Sequence, residues 1–227
     1  MKKFLGLIIL IAIIFLVTTN AFADNFGQLY VDYSVNGSLV MKSPSLSNVI
    51  DGMTHDARPF YIGADYWLDR FKIGAEYETV HATYHDTDVN SLLLKAGYSI
   101  FATDSFQFVI SAGYGNYTIN SKDIATKEEV TSIIMAYETF WRFEHSGLDM
   151  SILFPIDSDY KLNDIRDTGK DSALFQAKLK YTLFLSEQLG LSFGYHIDGF
   201  VLGDGNNNAD TYADITKGFT IGATYLF

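Results

Sequence analysis

The sequence predicts an all-β fold: a single up-and-down antiparallel transmembrane β-barrel of about ten strands, with eight as the alternative count. Three observations carry the prediction. The last nine residues alternate strictly, with Phe219, Ile221, Ala223, Tyr225 and Phe227 on one parity and Thr220, Gly222 and Thr224 on the other. A period of two puts the apolar set on one face of a strand and the small polar set on the other, which suits a wall between lipid and a polar interior. The same alternation recurs in a series of earlier segments. The links between those segments alternate between tight and long, as in a barrel with short turns on one rim and long loops on the other.

The opening of the chain has a different pattern. Lys2 and Lys3 precede an unbroken apolar run from Phe4 to Val17, and Ala21-Phe22-Ala23 follows as a small-x-small site. Residues 1–23 therefore read as a secretory signal peptide with Ala21 and Ala23 at its cleavage site, leaving 24–227 as the barrel. The run falls short of the roughly 20 residues that a spanning helix needs. Beyond it no stretch approaches such a helix, although the chain is 48% hydrophobic and 15% aromatic.

The segments in order are 27–35, 60–68, 71–80, 90–100, 106–115, 133–143, 148–154, 175–183, 189–197 and 215–227. Each approximates the roughly 9 to 11 residues of a tilted membrane strand. Tight links are expected at 69–70, 101–105, 145–147 and 184–188, and long polar loops at 36–59, 81–89, 116–132, 155–174 and 198–214. Parity assigns the faces. Leu29, Val31, Tyr33 and Val35 meet lipid, and Gln28, Tyr30, Asp32 and Ser34 face the lumen. Likewise Phe71, Ile73, Ala75 and Tyr77 point out, and Lys72, Gly74, Glu76 and Glu78 point in. A soluble barrel buries the apolar parity instead, and alternation is the same for both. The terminal strand and the loop asymmetry favour lipid outside.

Inward parity collects the ionisable residues. Asp32, Asp65, Glu76, Glu78, Glu138, Asp149 and Asp198 share the lumen with Lys72, Lys95, Arg142, Lys178, Lys180 and His196. On the lipid face an Arg or Lys at the midplane costs about 2 to 4 kcal/mol, so these charges belong inside. Counting from the tight turns puts Glu76, Lys95, Glu138, Lys178 and Lys180 at similar heights, which predicts a belt of paired side chains filling a small barrel. Asp32 and Arg142 complete the expected charge network.

Composition excludes several functions. There are no cysteines, so disulfides and thiol chemistry are absent. A net charge of −11 argues against nucleic acid or anionic lipid as a ligand. No cofactor is expected. Asp204 to Asp210 places oxygen ligands at alternate positions but lacks the glycine and the glutamate of a calcium loop, so it reads as a polar turn. His196 and Asp198 are expected near the outer rim, with His81, His85, Asp86 and Asp88 in the second loop.

The terminal strand, with Phe219, Ile221, Tyr225 and Phe227, resembles the C-terminal signal through which outer-membrane barrels engage their assembly machinery. Together with the export signal and the loop rhythm, it makes the chain similar to the small OmpA/OmpX/opacity-type class of bacterial outer-membrane barrels. That resemblance implies an outer-membrane location, lipid and assembly machinery as partners, and a structural or adhesive role through surface loops that could hold an extracellular ligand. A narrow porin-like channel is the alternative and an outer-rim hydrolase the third reading. Ten-stranded omptin proteases resemble the strand count, but their Asp-His couple stands here in reverse order and no Asp-x-Asp pair sits on an adjacent strand end. No enzyme is therefore expected.

Overall fold

The computed structural model describes residues 26–42, 53–83, 86–123, 125–166, 170–204 and 207–227. The signal segment, with Ala21 and Ala23, lies outside them. Ten long strands form the wall: β1 (Phe26–Lys42), β3 (Phe60–Leu68), β4 (Phe71–Ala82), β5 (Thr87–Ala102), β6 (Phe106–Ser121), β7 (Thr126–Phe143), β8 (Ser146–Leu162), β10 (Lys170–Phe184), β11 (Leu189–Asp204) and β12 (Asn207–Leu226). Two short strands, β2 (Met53–Asp56) and β9 (Ile165–Arg166), fold back on β1 and β8. All pairings are antiparallel between neighbours in sequence, and β12 returns to β1. At that seam the Gly27 N–H donates to the Phe227 carbonyl at 2.8 Å, and the Phe227 N–H to Gly27 at 3.0 Å. The ring of Phe227 lies where a side chain on residue 27 would stand, so a glycine is required there. Closure leaves no long edge to fray.

At the end carrying the termini the strands join through tight links, two of them only two residues long: Glu144-His145 and Asp69-Arg70, where Asp69 adopts a φ of 55°. The opposite end corrects the sequence expectation of long polar loops. Most of 116–132 is strand, since β6 runs to Ser121 and β7 begins at Thr126. The 155–174 and 198–214 segments are likewise mostly strand. Asn163 and Asp164 turn the fourth hairpin with φ of 50° and 65°, the pair of left-handed residues that a tight hairpin turn of type I′ uses. The wall therefore continues past the membrane-sized segments into a raised set of hairpins.

The two halves of the wall have opposite polarity. Near the termini, Phe71, Ile73, Tyr98, Ile152, Leu191, Phe193, Phe219 and Ile221 are exposed outside, while the inward positions are charged or polar. Near the hairpins the apolar residues are inside. Leu39, Val80, Val89, Leu93, Tyr117, Ile119, Val130, Ile134, Leu153, Tyr160, Leu174, Phe200 and Leu202 belong to one buried cluster. A second, smaller cluster of Trp67, Val109 and Phe140, with Phe26 against it, closes the lumen near the termini. The expected polar interior is thus confined to the middle of the barrel.

Two bulges make the outer core possible. The β1–β12 register slips between Ser34 and Asn36, and the β7–β8 register slips where Ile133 faces Asp157 and Ile134 faces Pro155. Each extra residue reverses the facing of everything beyond it. On β1 the inward parity passes from Ser34 to Leu39, and on β8 from Leu153 to Tyr160. Pro155 has no N–H to give, and the regular β8–β10 ladder stops nearby, at Leu153 and Gln176.

Candidate functional site

The middle of the lumen is the candidate site, because ionisable side chains from most of the wall meet there. Glu138 of β7 accepts from Lys72 of β4 at 2.8 Å, Lys95 of β5 at 2.6 Å and Ser111 of β6 at 2.6 Å. Lys72 also pairs with Asp65 of β3 at 3.1 Å, and Asp65 accepts from Gln28 of β1 at 3.0 Å. A second group surrounds Glu76. Its carboxylate accepts from Lys178, Tyr30 and, at 2.9 Å, Gln176. A third joins Arg142 to Asp149 at 2.7 Å and Asp149 to Lys180 at 3.7 Å. Asp32 accepts from Ser192 at 2.5 Å.

Tyr30 links these groups. The ammonium of Lys178 lies 4.1 Å and that of Lys180 3.9 Å from its ring centroid, so one aromatic ring serves two cations. Its hydroxyl end occupies the space that a side chain on Gly63 would need. The belt is balanced: Asp32, Asp65, Glu76, Glu138 and Asp149 stand against Lys72, Lys95, Arg142, Lys178 and Lys180. It leaves a cavity of about 30 Å³ lined by Gln28, Tyr30, Asp65, Lys95, Glu138 and Lys180. That is space for a water or two rather than for a hydrated ion path.

Toward the termini the belt is closed by aromatic rings. Trp67 stacks on Phe26 at 4.4 Å and meets Phe140 edge-on at 5.3 Å, while Lys72 sits 4.7 Å from the Phe140 ring. Toward the hairpins lies a layer of Tyr61, Glu78, Tyr117, His196, Asp198 and Thr216, all buried. The Tyr61 and His196 rings stack at 4.1 Å, and Thr216 donates to Glu78 at 2.7 Å. The apolar outer cluster begins above this layer, with the Tyr117 ring meeting Phe200 edge-on at 5.5 Å.

Among the charges expected in the lumen, Glu76 meets Lys178, Lys95 meets Glu138, and Arg142 and Lys180 converge on Asp149. Asp32 meets a serine instead of a cation. Sequence reading passed over Tyr30, Gln28, Gln176 and Ser111 as partners. Their inward parity was visible, but neutral hydrogen-bonding roles carry no charge signal. One expectation is corrected. Neither His196 nor Asp198 stands at the rim: both are 2% exposed, beneath the outer apolar cluster, and the His196 imidazole lies 3.8 Å from Glu76. Its ring is carried down because Ile197 to Leu202 continue the strand beyond it.

At the hairpin end His81 Nδ1 lies 2.8 Å from Asp88, and Lys122 pairs with Asp88 at 2.9 Å and with Asp86 at 3.3 Å. Partial burial works to raise the Asp88 carboxyl, but the hydrogen bonds from His81 and Lys122 outweigh it and hold the group below its ordinary value. His85 lies outside the described residues, as does the tip of the 204–210 turn. Among the described residues no three His, Cys, Asp or Glu side chains are grouped to hold a metal.

Phe219, Ile221 and Tyr225 project outward from β12, and the Phe227 ring stacks near Tyr66 at 6.3 Å on the same surface. No protein-family model matches the chain, and no curated sequence matches it. Solved structures do match. The outer membrane protease OmpT from Escherichia coli aligns over 92% of this chain and 99% of its own, with a TM-score of 0.58 and 12% identity. The COG4313 outer membrane channel from Pseudomonas putida F1 aligns over 89% and 94%, with a TM-score of 0.48 and 7% identity. Neisserial surface protein A aligns over 88% and 97%, with a TM-score of 0.40 and 13% identity. The fold is that of a small bacterial outer-membrane β-barrel. At these identities the likeness extends to fold alone.

Proposed function

We propose that this chain is exported through its 1–23 signal segment and assembled in an outer membrane as a plugged barrel. On this reading it acts structurally or adhesively through its raised hairpins. Lipid contacts the apolar belt, and the assembly machinery reads Phe219, Ile221, Tyr225 and Phe227. The observation that carries the reading is the three-layer closure of the lumen: aromatic rings, a balanced charge belt and an apolar outer core. A conducting pore needs a continuous polar path, and neither apolar layer offers one. The hairpins then remain as the surface open to a ligand.

The imidazole that the hairpin end sets against carboxylates, His81, shares both of them with Lys122, which competes for the charge that a general base requires. The test is planar-bilayer conductance of the refolded protein. No steady conductance is expected. Steady wild-type conductance, with Glu138→Ala changing ion selectivity and not stability, transfers the assignment to a channel. Intact-mass analysis of exported protein beginning at Asp24 checks the processing step.

A further inference from the structure

The layer just above the balanced belt carries two acids and, among the described residues, no Lys or Arg paired with them. Glu78 of β4 and Asp198 of β11 stand nearly opposite each other across the lumen, both buried, with their carboxyls within hydrogen-bonding reach. Thr216 ties the two sides together, donating to Glu78 at 2.7 Å while lying 3.3 Å from the Asp198 carbonyl. Among the described residues no Lys or Arg pairs with either carboxylate, the nearby ones being engaged in the belt below. Two carboxylates facing each other in a low-dielectric interior need either a shared proton or a cation between them.

Four oxygens here lack a hydrogen-bond partner: Glu78 Oε2, Asp198 Oδ2 and the phenol oxygens of Tyr61 and Tyr117. Their positions are fixed by the wall. Tyr61, Glu78, Ser91 and Tyr117 are successive register partners on β3, β4, β5 and β6, and Asp198 faces Thr216 between β11 and β12. Each of the four groups interacts electrostatically with the other three. A single proton would serve one pair of these oxygens. A metal ion serves all of them. Every candidate donor is oxygen, and His196 beside them is turned toward Tyr61 and Glu76.

We propose that Glu78 and Asp198, with the hydroxyls of Tyr61, Tyr117 and Thr216, bind one hard divalent cation, with calcium favoured. Two carboxylates match a double positive charge. Calcium accepts irregular sets of protein oxygens, whereas magnesium holds several waters, for which a layer sealed by the outer apolar core has little room. The ion enters as the barrel closes and cross-links β4 to β11.

The test refolds the full chain in detergent with millimolar calcium chloride, removes loosely held ion by gel filtration in a chelator, and counts metal by mass spectrometry. One calcium per wild-type chain is expected. The isosteric, uncharged double variant Glu78→Gln with Asp198→Asn should retain none while still migrating as a closed barrel before boiling, because its amides need no cation. If that variant fails to refold, Tyr61→Phe supplies the comparison, with retention falling several-fold. A metal-free wild type overturns the proposal, and a protonated-carboxyl infrared band that the double variant loses identifies a shared proton in its place. Retention that neither the double variant nor Tyr61→Phe alters places the ion elsewhere and also overturns it.

Discussion

Strand β6 carries both halves of the barrel on one uninterrupted segment. From its lower part Ile110, Ala112 and Tyr114 point outward, and from its upper part Tyr117 and Ile119 point inward, with Thr118 and Asn120 outside. The wall geometry is the same in both halves. What differs is the medium beyond it, since an apolar side chain gains by leaving water for lipid below and for a packed core above. The lower half therefore keeps its charges inside, where they satisfy one another. The upper half is built like a soluble barrel.

The largest expected effect tests whether the wall closes through its ends. Phe227 holds the seam by two backbone hydrogen bonds to Gly27 and covers the glycine with its ring. Phe227→Asp places a charge on the outward face at the closing strand and removes the ring that the assembly signal is proposed to present. Export should continue while assembled, heat-modifiable barrel in the outer-membrane fraction falls to a small part of wild type. Wild-type amounts of folded protein in that fraction would refute the reading.

The next effect belongs to the lower half alone. Glu138 is 2% exposed and receives Lys72, Lys95 and Ser111. Glu138→Ala leaves two buried ammonium groups without their main partner, which costs about 3 to 5 kcal/mol, less where cavity water takes over. Urea unfolding of the refolded barrel should shift to markedly lower denaturant. An unchanged midpoint would mean that the belt is solvated and not a plug. In the upper half the comparable probe is Ile119→Ala, which opens a hole in the outer core at a cost of about 2 to 5 kcal/mol. Its neighbour Thr118→Ala, on the watery face, should stay within about 0.5 kcal/mol. Equal effects at the two positions would contradict the inversion of polarity.

The lower half was legible in the sequence because each strand there repeats one pattern without interruption. Phe71, Ile73 and Ala75 against Lys72 and Glu76 can be assigned by parity alone, and the ten-strand count follows from the turns. The upper half was harder to read for two physical reasons. Bulges beside Val35 and Ile156 reverse the phase, so that Leu39 and Tyr160 turn inward against the parity of the residues before them. Alternation also keeps its period when its polarity inverts, so 116–132 looked like a polar loop when its inward positions were Tyr117, Ile119 and Val130. Charge partners were legible as types but not as pairs. The sequence puts Lys180 and Glu76 at one height, yet the β8–β10 register seats Lys180 beside Asp149 and the wall's curvature brings Tyr30 to it across the lumen.

The smallest effect lies at the tip of the fourth hairpin, and it sharpens the comparison by showing where packing ends. Asp164 is exposed and accepts from Lys127 at 2.7 Å, while the Asn163 side chain accepts from the Lys127 N–H at 2.8 Å. The hydrogen bond and charge of Lys127 hold the Asp164 carboxyl below its ordinary value. A depressed carboxylate contributes at pH above its unfolded value and loses that contribution as pH falls through the folded one. Water screens an exposed pair, so the loss should stay local. Asp164→Ala should leave the unfolding midpoint unchanged, and acidification from neutral pH to below 4 should speed amide exchange at the hairpin tip of the wild type and not of the variant. A midpoint shift comparable to that of Glu138→Ala would show that the hairpin tips, and not the plugged lumen, set the stability of the barrel.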